Sequence, residues 1–533
     1  MLKPISPRRW IAFAPALVFL LGAYVSLRYS LALWHADPDT SVPFNLWQGL
    51  TQHGLGFLTT WKYSPDNWLF TLLPLDAALL SLAPHQPTVV VLSGWGIFIA
   101  SVALTGALLG QMTGRTAGLW LAAVLTFAND RALGGAGFLS YPVTHNISML
   151  WGLASLWLCA QGLRTSSTPR AAAAFASAGV CLVLNQLSDP WAGAAITLPV
   201  TLVAGAVGAA SWRDPRARRA LTLCAIGGFV FVAAQTRGFG LLGFLSPSPL
   251  AFTNEDGLVQ NAGWAFRAMA SIANIIPLAN PKSVAAMAIS GLAAVGLIGA
   301  ATAFALARLR SSDLPTRFTV GVCVTSVAAI SGAFLVGQWP HGLMVGRFFP
   351  NAYFLGGLLL AWAASLHWSS RPAAAKLAAF LYPLLFVAAG LLSLPEAWTG
   401  RAPPRTNDDI LQLAGFLDRQ GLHYGYGPYW GAYALSMDWL SGGRTVIRPV
   451  TFQGGRIARR PWETSPYWYA ASDEPPGTTE RFLIVANDGE ECPSVATCAD
   501  EAIAQFGPVS RDMTYGYVRI LVWRTPIAPR LAH

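Results

Sequence analysis

Trp34-His35-Ala36-Asp37-Pro38-Asp39-Thr40 stands at the end of an apolar run that begins at Trp10. Charge is costly beside hydrocarbon, so two carboxylates two positions apart at this place mark a functional site. The run before them is longer than the apolar centre of a signal peptide, and no small-x-small cleavage site closes it. It therefore reads as a retained first membrane span. Lys3, Arg8 and Arg9 precede it, and basic residues of this kind hold the start of a span in the cytoplasm.

Outward from this corner the apolar pattern repeats. Of 533 residues 54% are hydrophobic and 11% charged, where a soluble domain carries about 25% charged residues. Apolar stretches close to span length recur at 10–34, 88–110, 117–133, 146–163, 171–188, 191–211, 220–237, 283–307, 318–337, 351–367 and 377–394. The chain reads as a polytopic α-helical membrane protein of about eleven spans. With the N-terminus inside, cytoplasmic loops hold fifteen Lys and Arg; the opposite loops hold Lys62, Arg131, Arg237, Arg267, Lys282 and Arg347. That asymmetry follows the positive-inside rule and accounts for much of the net charge of +10 without nucleic acid as a partner. An odd span count places the C-terminal part outside.

The acids sort the other way. Only Asp214 and Asp313 of the ten before residue 395 fall in cytoplasmic loops, whereas Asp37, Asp39, Asp66, Asp130, Asp189, Glu255 and Asp256 gather at outer span ends. An outer polar cavity is expected there. In the first outer loop, 35–87, Phe44–Leu50 has the spacing of an interfacial helix. Tyr63 to Asp76 leads into a second, half-inserted one. A later loop carries an amphipathic stretch from Ala262 to Ile276.

Residues 1–394 thus form the membrane domain, and residues 395–533 a second one of ordinary soluble composition. This second part has fifteen of the 25 acids and 13 Arg. A helix over Asp408–Gln420 behind Asn407, strands at Thr445–Pro449, Phe482–Ala486 and Val518–Trp523, and a short helix at Asp500–Phe506 indicate a small α/β domain. Cys492 and Cys498 are a disulfide candidate if this domain lies outside the cytoplasm. The other four cysteines lie in apolar runs and read as core.

The layout resembles the GT-C class of membrane glycosyltransferases, which includes the protein O-mannosyltransferases and the lipid A aminoarabinose transferases. A first span followed by Asp37 and Asp39, an outer loop with two interfacial helices and the Pro/aromatic stretch Tyr63–Pro74 carry the resemblance. So do Leu109-Gly-Gln-Met-Thr-Gly-Arg115 and Gly425-Tyr-Gly-Pro-Tyr-Trp-Gly-Ala-Tyr433. Two departures stop the donor sugar from carrying over. Ser64-Pro65-Asp66-Asn67-Trp68 replaces the family's proline and tyrosine pairs, and His85-Gln-Pro-Thr88 stands where an arginine is usual.

The resemblance implies transfer of a sugar from a polyprenyl-phosphate or -diphosphate donor to a lipid, glycan or protein of the cell envelope. The reaction is expected at the outer face of a bacterial inner membrane, with the C-terminal domain periplasmic and membrane lipids as surroundings. Such transfer needs a base for the acceptor hydroxyl, most efficient when its pKa is raised towards the working pH. Asp37 and Asp39 are the catalytic candidates. Pro38 holds Asp37 extended, and residues two apart in an extended segment face one way. Asp37 is preferred as base, with Asp39 orienting it or holding a divalent metal ion; the competing reading makes Asp39-Thr40 a helix cap. No His/Cys metal spacing occurs, so no cofactor beyond that ion is read.

Cations are needed for the departing phosphate. Arg347, at the mouth of an apolar span beside Phe348 and Phe349, leads Lys62, Arg237, Lys282 and Arg131; snorkelling to lipid headgroups is their ordinary alternative. His35, Asp66, His341 and Glu255 are candidate substrate contacts. A transporter or flippase of lipid-linked glycans, or a polymerase or ligase of them, is the competing class; against the first, the sequence shows none of the repeated halves usual in secondary transporters.

Overall fold

The computed structural model describes residues 7–84, 86–234, 240, 251–276, 284–339, 341–366, 373–393, 407–431, 433–487, 492 and 494–531. Up to residue 393 it is helical. The main helices are α1 (Pro7–Leu33), α2 (Pro38–His53), α3 (Leu73–Leu82), α4 (Thr88–Thr113), α5 (Arg115–Leu125), α6 (His145–Arg164), α7 (Thr168–Ser188), α8 (Leu198–Ala210), α9 (Pro215–Ala233), α10 (Glu255–Ile272), α11 (Val284–Arg308), α12 (Leu314–Val336), α13 (Pro350–Ser365) and α14 (Ala373–Leu392).

A helix occupies each apolar stretch found in the sequence. Among the described residues, six helical segments are long and apolar enough to cross a membrane: Phe13–Leu33, Thr88–Thr113, Thr168–Ser188, Gly193–Ala210, Ala288–Ser311 and Leu314–Val336. The stretch expected as a span at 117–133 is shorter than that. Helix α5 has 11 residues, about 16 Å of rise against a hydrocarbon core of about 30 Å. Polar side chains end it: Thr126 Oγ1 turns back to the Ala123 carbonyl at 2.7 Å, and Asn129 caps a separate turn, Asp130–Leu133, by accepting from the Ala132 N–H.

Helices α4 and α5 form a tight hairpin. A Cβ on Gly106 would stand 2.6 Å from the Gly118 carbonyl oxygen, and one on Gly118 would stand 2.2 Å from that of Gly106. Only glycine permits this approach, a close-packing device common between membrane helices. One large apolar core then runs through the helices, from Val25 and Tyr29 in α1 to Leu358 and Trp362 in α13.

The C-terminal residues build one six-stranded mixed sheet. Its strands are β1 (Tyr424–Pro428), β2 (Val446–Gln453), β3 (Arg456–Arg459), β4 (Arg481–Val485), β5 (Arg511–Tyr515) and β6 (Val518–Trp523), in the order β3-β2-β1-β4-β6-β5. Strand β1 runs parallel to β2 and β4, and the remaining pairs are antiparallel. Alternation along the central strands sorts side chains to two faces. Phe482, Ile484, Ile520 and Val522 meet Ile410, Leu413 and Leu417 of α15 (Asp408–Arg419). Leu483, Val485, Leu521 and Trp523 meet Cys498, Ala502 and Phe506 of α17 (Val495–Phe506). Between them in sequence lies α16 (Ser436–Ser441).

The sequence reading located β2, β4 and β6 but not β1, β3 or β5. Strand β5 faces out along much of its length, so its pattern carries little apolar signal. Helix α17 starts earlier than read, at Val495, where Ser494 caps it. Cys492 and Cys498 are bonded to each other at that helix start.

Helix α2 does not lie free at an interface. It is clamped against α16 and the residue before it: Ser41 meets Ser436 at 2.8 Å, Asn45 Nδ2 donates to the Leu435 carbonyl at 3.0 Å, and Gln48 Nε2 donates to Asp438 at 3.1 Å. Phe44 stacks on Trp439 of α16 with centroids 5.5 Å apart, and Trp34 meets the same ring edge-on at 5.9 Å. Its apolar stripe is therefore the seam between helical bundle and sheet.

Candidate active site

Pro38 decides the geometry of the two aspartates. Its fixed φ suits the first helical position, so α2 begins there and Asp37 becomes its N-cap, with φ −121° and ψ 172°. Asp37 is extended, as the following proline requires. Asp39 lies within the first helical turn, so the expected extended Asp37-Pro38-Asp39 segment is replaced by a cap and a helix. The cap is Asp37 and not Asp39: Asp37 Oδ1 accepts from the Thr40 N–H at 2.7 Å, and Thr40 Oγ1 accepts from the Asp37 N–H at 3.0 Å.

The two carboxylates have different hydroxyl partners. Tyr141 donates to Asp37 Oδ2 and lies within bonding distance of the His35 carbonyl, each at 2.8 Å. Tyr429, which follows β1, reaches Asp39 Oδ1 at 2.7 Å and also meets Glu463 Oε2. Glu463 Oε1 accepts from Ser64 Oγ at 3.0 Å. The Arg460 guanidinium lies 3.6 Å from the centroid of the Tyr429 ring. Asp39 thus sits where the first loop and the sheet meet.

Burial pushes the Asp37 carboxyl up to about 7, and the charge of Asp39 adds to the effect. Asp39 is also raised by burial, while Tyr429, Arg347 and Arg460 favour its ionised form. Glu463 is pushed up to about 8, by burial first and then by Asp39. Asp66 is pushed up to about 6 by desolvation, then by Asp189, with Asp39 contributing and His145 opposing. Asp66 is nevertheless solvent-accessible.

Of the residues singled out in the sequence, Asp37, Asp66 and Arg347 each interact electrostatically with Asp39 in this cluster. Arg347 lies in the turn Leu343–Phe348 with its guanidinium 5.3 Å from the Phe348 ring centroid. Lys62 borders the cluster through its backbone, which pairs with Thr464, and its side chain is exposed. His35 turns its ring to Asp409 of α15 at 3.3 Å. Arg131 lies beside Asp130 in the short turn before Gly134, with no hydrogen bond or ion pair to either aspartate among the described residues. His341 lines a different, polar cavity of about 550 Å³ with Asn254, Asp256 and Trp339. Glu255 is exposed in the first turn of α10. Arg237 and Lys282 lie outside the described residues. Among the described residues no three His, Cys, Asp or Glu side chains are grouped to hold a metal ion.

The structure adds residues that sequence reasoning missed. Tyr141, Tyr429, Arg460 and Glu463 are remote from Asp37 in sequence. In Arg459-Arg460-Pro-Trp-Glu463 the acid reads as an ordinary surface charge. His145 and Asp189 form a buried pair at 2.8 Å, with the imidazole stacked on Trp191 at 5.2 Å. Deeper in the bundle an apolar cavity of about 510 Å³ opens between α5, α11, α13 and α14, lined by Leu121, Ile298, Phe304, Tyr353 and Phe386.

No protein-family model matches the chain, and no curated protein matches it in sequence. Solved structures do match in fold. ArnT from Cupriavidus metallidurans in the apo state has a TM-score of 0.57 and 11% identity, over 98% of this chain and 99% of that one. ArnT from the same organism bound to undecaprenyl phosphate has a TM-score of 0.54 and 11% identity, over 98% of this chain and 100% of that one. Over 98% of its length, helical bundle and C-terminal sheet together, the chain therefore has the fold of these ArnT structures.

Proposed function

We propose that the protein transfers a sugar from a polyprenyl-phosphate or -diphosphate donor to a cell-envelope acceptor, at the outer face of a bacterial inner membrane. The observation that carries this reading is the Asp37–Asp39 pair at the foot of α1, with one carboxyl raised to about 7 and Arg347 acting on the other. Support also comes from the fold, because an ArnT structure of the same architecture binds undecaprenyl phosphate. Residues 1–394 are the catalytic membrane domain of about eleven spans, α5 and the turn after it counted as one, with the N-terminus inside, and residues 395–533 are periplasmic.

In this reading Asp37 removes the proton of the acceptor hydroxyl. A base with a pKa near 7 combines availability with strength at neutral pH. Burial supplies most of that basicity and the charge of Asp39 adds to it. Arg347 meets the phosphate of the donor, a task for which a planar guanidinium is well shaped. Lys62 and Asp66 line the approach, and the apolar cavity behind α13 accommodates part of the polyprenyl chain. The transferred group is a hexose or pentose, with Asp66 a candidate contact.

The test is transfer of label from a panel of polyprenyl-phosphate sugars into membrane extract, comparing wild type with Asp37→Asn and Asp39→Asn at matched expression. Label that both variants still transfer at the wild-type rate removes this assignment. Failure of wild type with every donor turns the question to transport of lipid-linked glycans.

A further inference from the structure

A phenol has one proton to give. The Tyr429 hydroxyl lies within hydrogen-bonding distance of two carboxylates at once, Asp39 Oδ1 at 2.7 Å and Glu463 Oε2. If both acids are ionised, one anion faces the phenol oxygen with no hydrogen between them. Removed from water, such an unmatched anion is costly. One proton on one of the carboxyls resolves this: that carboxyl donates to the phenol oxygen, and the phenol donates to the other.

The surroundings decide which acid holds it. Burial raises both acids, but at Asp39 two guanidinium groups, Arg347 and Arg460, oppose it. Glu463 is faced by two further carboxylates, Asp39 and Asp66, against Arg460 alone. Its other oxygen, Oε1, accepts from Ser64, an arrangement a neutral carboxyl satisfies with its carbonyl. The backbone holds the group in place at a cost. Glu463 has φ 53°, a left-handed conformation that is strained for a residue with a Cβ and typical of over-determined functional positions. Its N–H donates to the Lys62 carbonyl, and the next residue pairs with Lys62 in an isolated bridge.

We propose that Glu463 is a positioning residue held protonated at neutral pH, which aims the Tyr429 hydroxyl at Asp39 and keeps Asp39 ionised, so that the C-terminal sheet completes the membrane active site. The chain runs from the Glu463 hydroxyl to the Tyr429 oxygen, and from the Tyr429 hydroxyl to Asp39. Asp39, thus fixed as an anion, acts on Asp37. This inference rests on the glycosyl-transfer reading for its rate effects. The location of the proton can be tested without it.

Glutamine reproduces the neutral acid atom for atom: its carbonyl accepts from Ser64 and its amide donates to Tyr429. Two measurements on the full chain decide the matter. In pH–rate profiles with a polyprenyl-phosphate sugar that wild type accepts, wild type should lose rate above pH about 8. Glu463→Gln should stay within about twofold of wild type at pH 7 and show no such loss. Glu463→Ala should fall about tenfold or more, as expected for loss of a buried hydrogen bond. Equal impairment of the Gln and Ala variants, or an alkaline limb that survives in Glu463→Gln, would overturn the proposal. In infrared spectra, wild type minus Glu463→Gln at pH 7 should contain a protonated-carboxyl stretch that disappears as the pH passes 8. Its absence would overturn the proposal even if no donor in the panel were transferred.

Discussion

Asp37 has a local structural duty and a proposed chemical one, and a pair of substitutions separates them. Asp37→Asn keeps an oxygen that accepts from the Thr40 N–H, and asparagine is as good an N-cap as aspartate. Its amide can donate to Tyr141, whose hydroxyl then donates to the His35 carbonyl 2.8 Å away. The expected loss of stability is within about 0.5 kcal/mol, the range of mild substitutions. The base, however, is gone. Loss of general-base catalysis is worth about 10²–10⁴ in rate, or roughly 3–5 kcal/mol on the barrier. Asp37→Ala removes the base and also the cap, a further destabilisation of about 1 kcal/mol; Tyr141 keeps its bond to His35, so little more is lost. Transfer assays and thermal unfolding in detergent, run on the same preparations, should show both variants almost inactive and only the alanine variant less stable. An asparagine variant within threefold of the wild-type rate would reduce Asp37 to a helix cap and refute its catalytic role.

Four other outcomes are expected. Asp39→Asn removes the charge that helps raise Asp37, so the acidic limb of its residual pH–rate profile should move below pH 7; an unmoved limb counts against coupling of the two acids. Asp37, Asp66 and Glu463 are raised to about 7, 6 and 8, so the folded state binds more protons than the unfolded state between about pH 4 and 8. Linkage then makes thermal stability highest at the acid end of that window and lower as pH rises through these values; a melting temperature that climbs from pH 5 to 8 contradicts the arrangement. Arg347→Gln should raise the donor KM by about tenfold or more, the value of a charge-assisted hydrogen bond, with Arg347→Lys between the two. Asp473→Ala should destabilise the fold by about 3–5 kcal/mol, because it strands the buried Arg448 that Asp473 binds through two bonds of 2.7 and 2.9 Å, and calorimetry checks this.

How far the sequence could be read depended on whether the signal was local. Apolar runs locate helices because each residue of a span faces lipid or its neighbours, so all eleven stretches appear as helices. At 117–133 the helix stops at Leu125, because the Thr126 side chain turns back onto it and Asn129 caps a separate turn. Asp37 and Asp39 stood out because they adjoin an apolar run. Their relative orientation was misread, since Pro38 has two uses: it holds its predecessor extended and also starts a helix. Arg347 was legible for the same reason as the aspartates, a charge at a span mouth. Tyr141 and Glu463 had no local mark, and Tyr429 stood out only as part of the Gly425–Tyr433 segment, not as a partner of Asp39. A tyrosine in an aromatic-rich strand edge and a glutamate between arginines match ordinary sheet and surface chemistry, and only the pairing of distant segments assigns them to the site.

That pairing also explains why a polar cluster of this kind sits between two folded parts. The bundle supplies Tyr141 to Asp37, and the sheet supplies Tyr429 to Asp39. Each carboxylate is therefore fixed by a different part of the chain, although the two are separated by one proline. The strength of their mutual repulsion depends on how α2 is held against both. Ser41, Asn45 and Gln48 bind the sheet side of α2, while Asp37 anchors its start to the bundle. In low dielectric a change of charge separation at this range alters an interaction steeply. The basicity of Asp37 is then a property of the assembled molecule and not of either part alone, and separating the sheet from α2 would remove the Tyr429 bond that holds Asp39 in place.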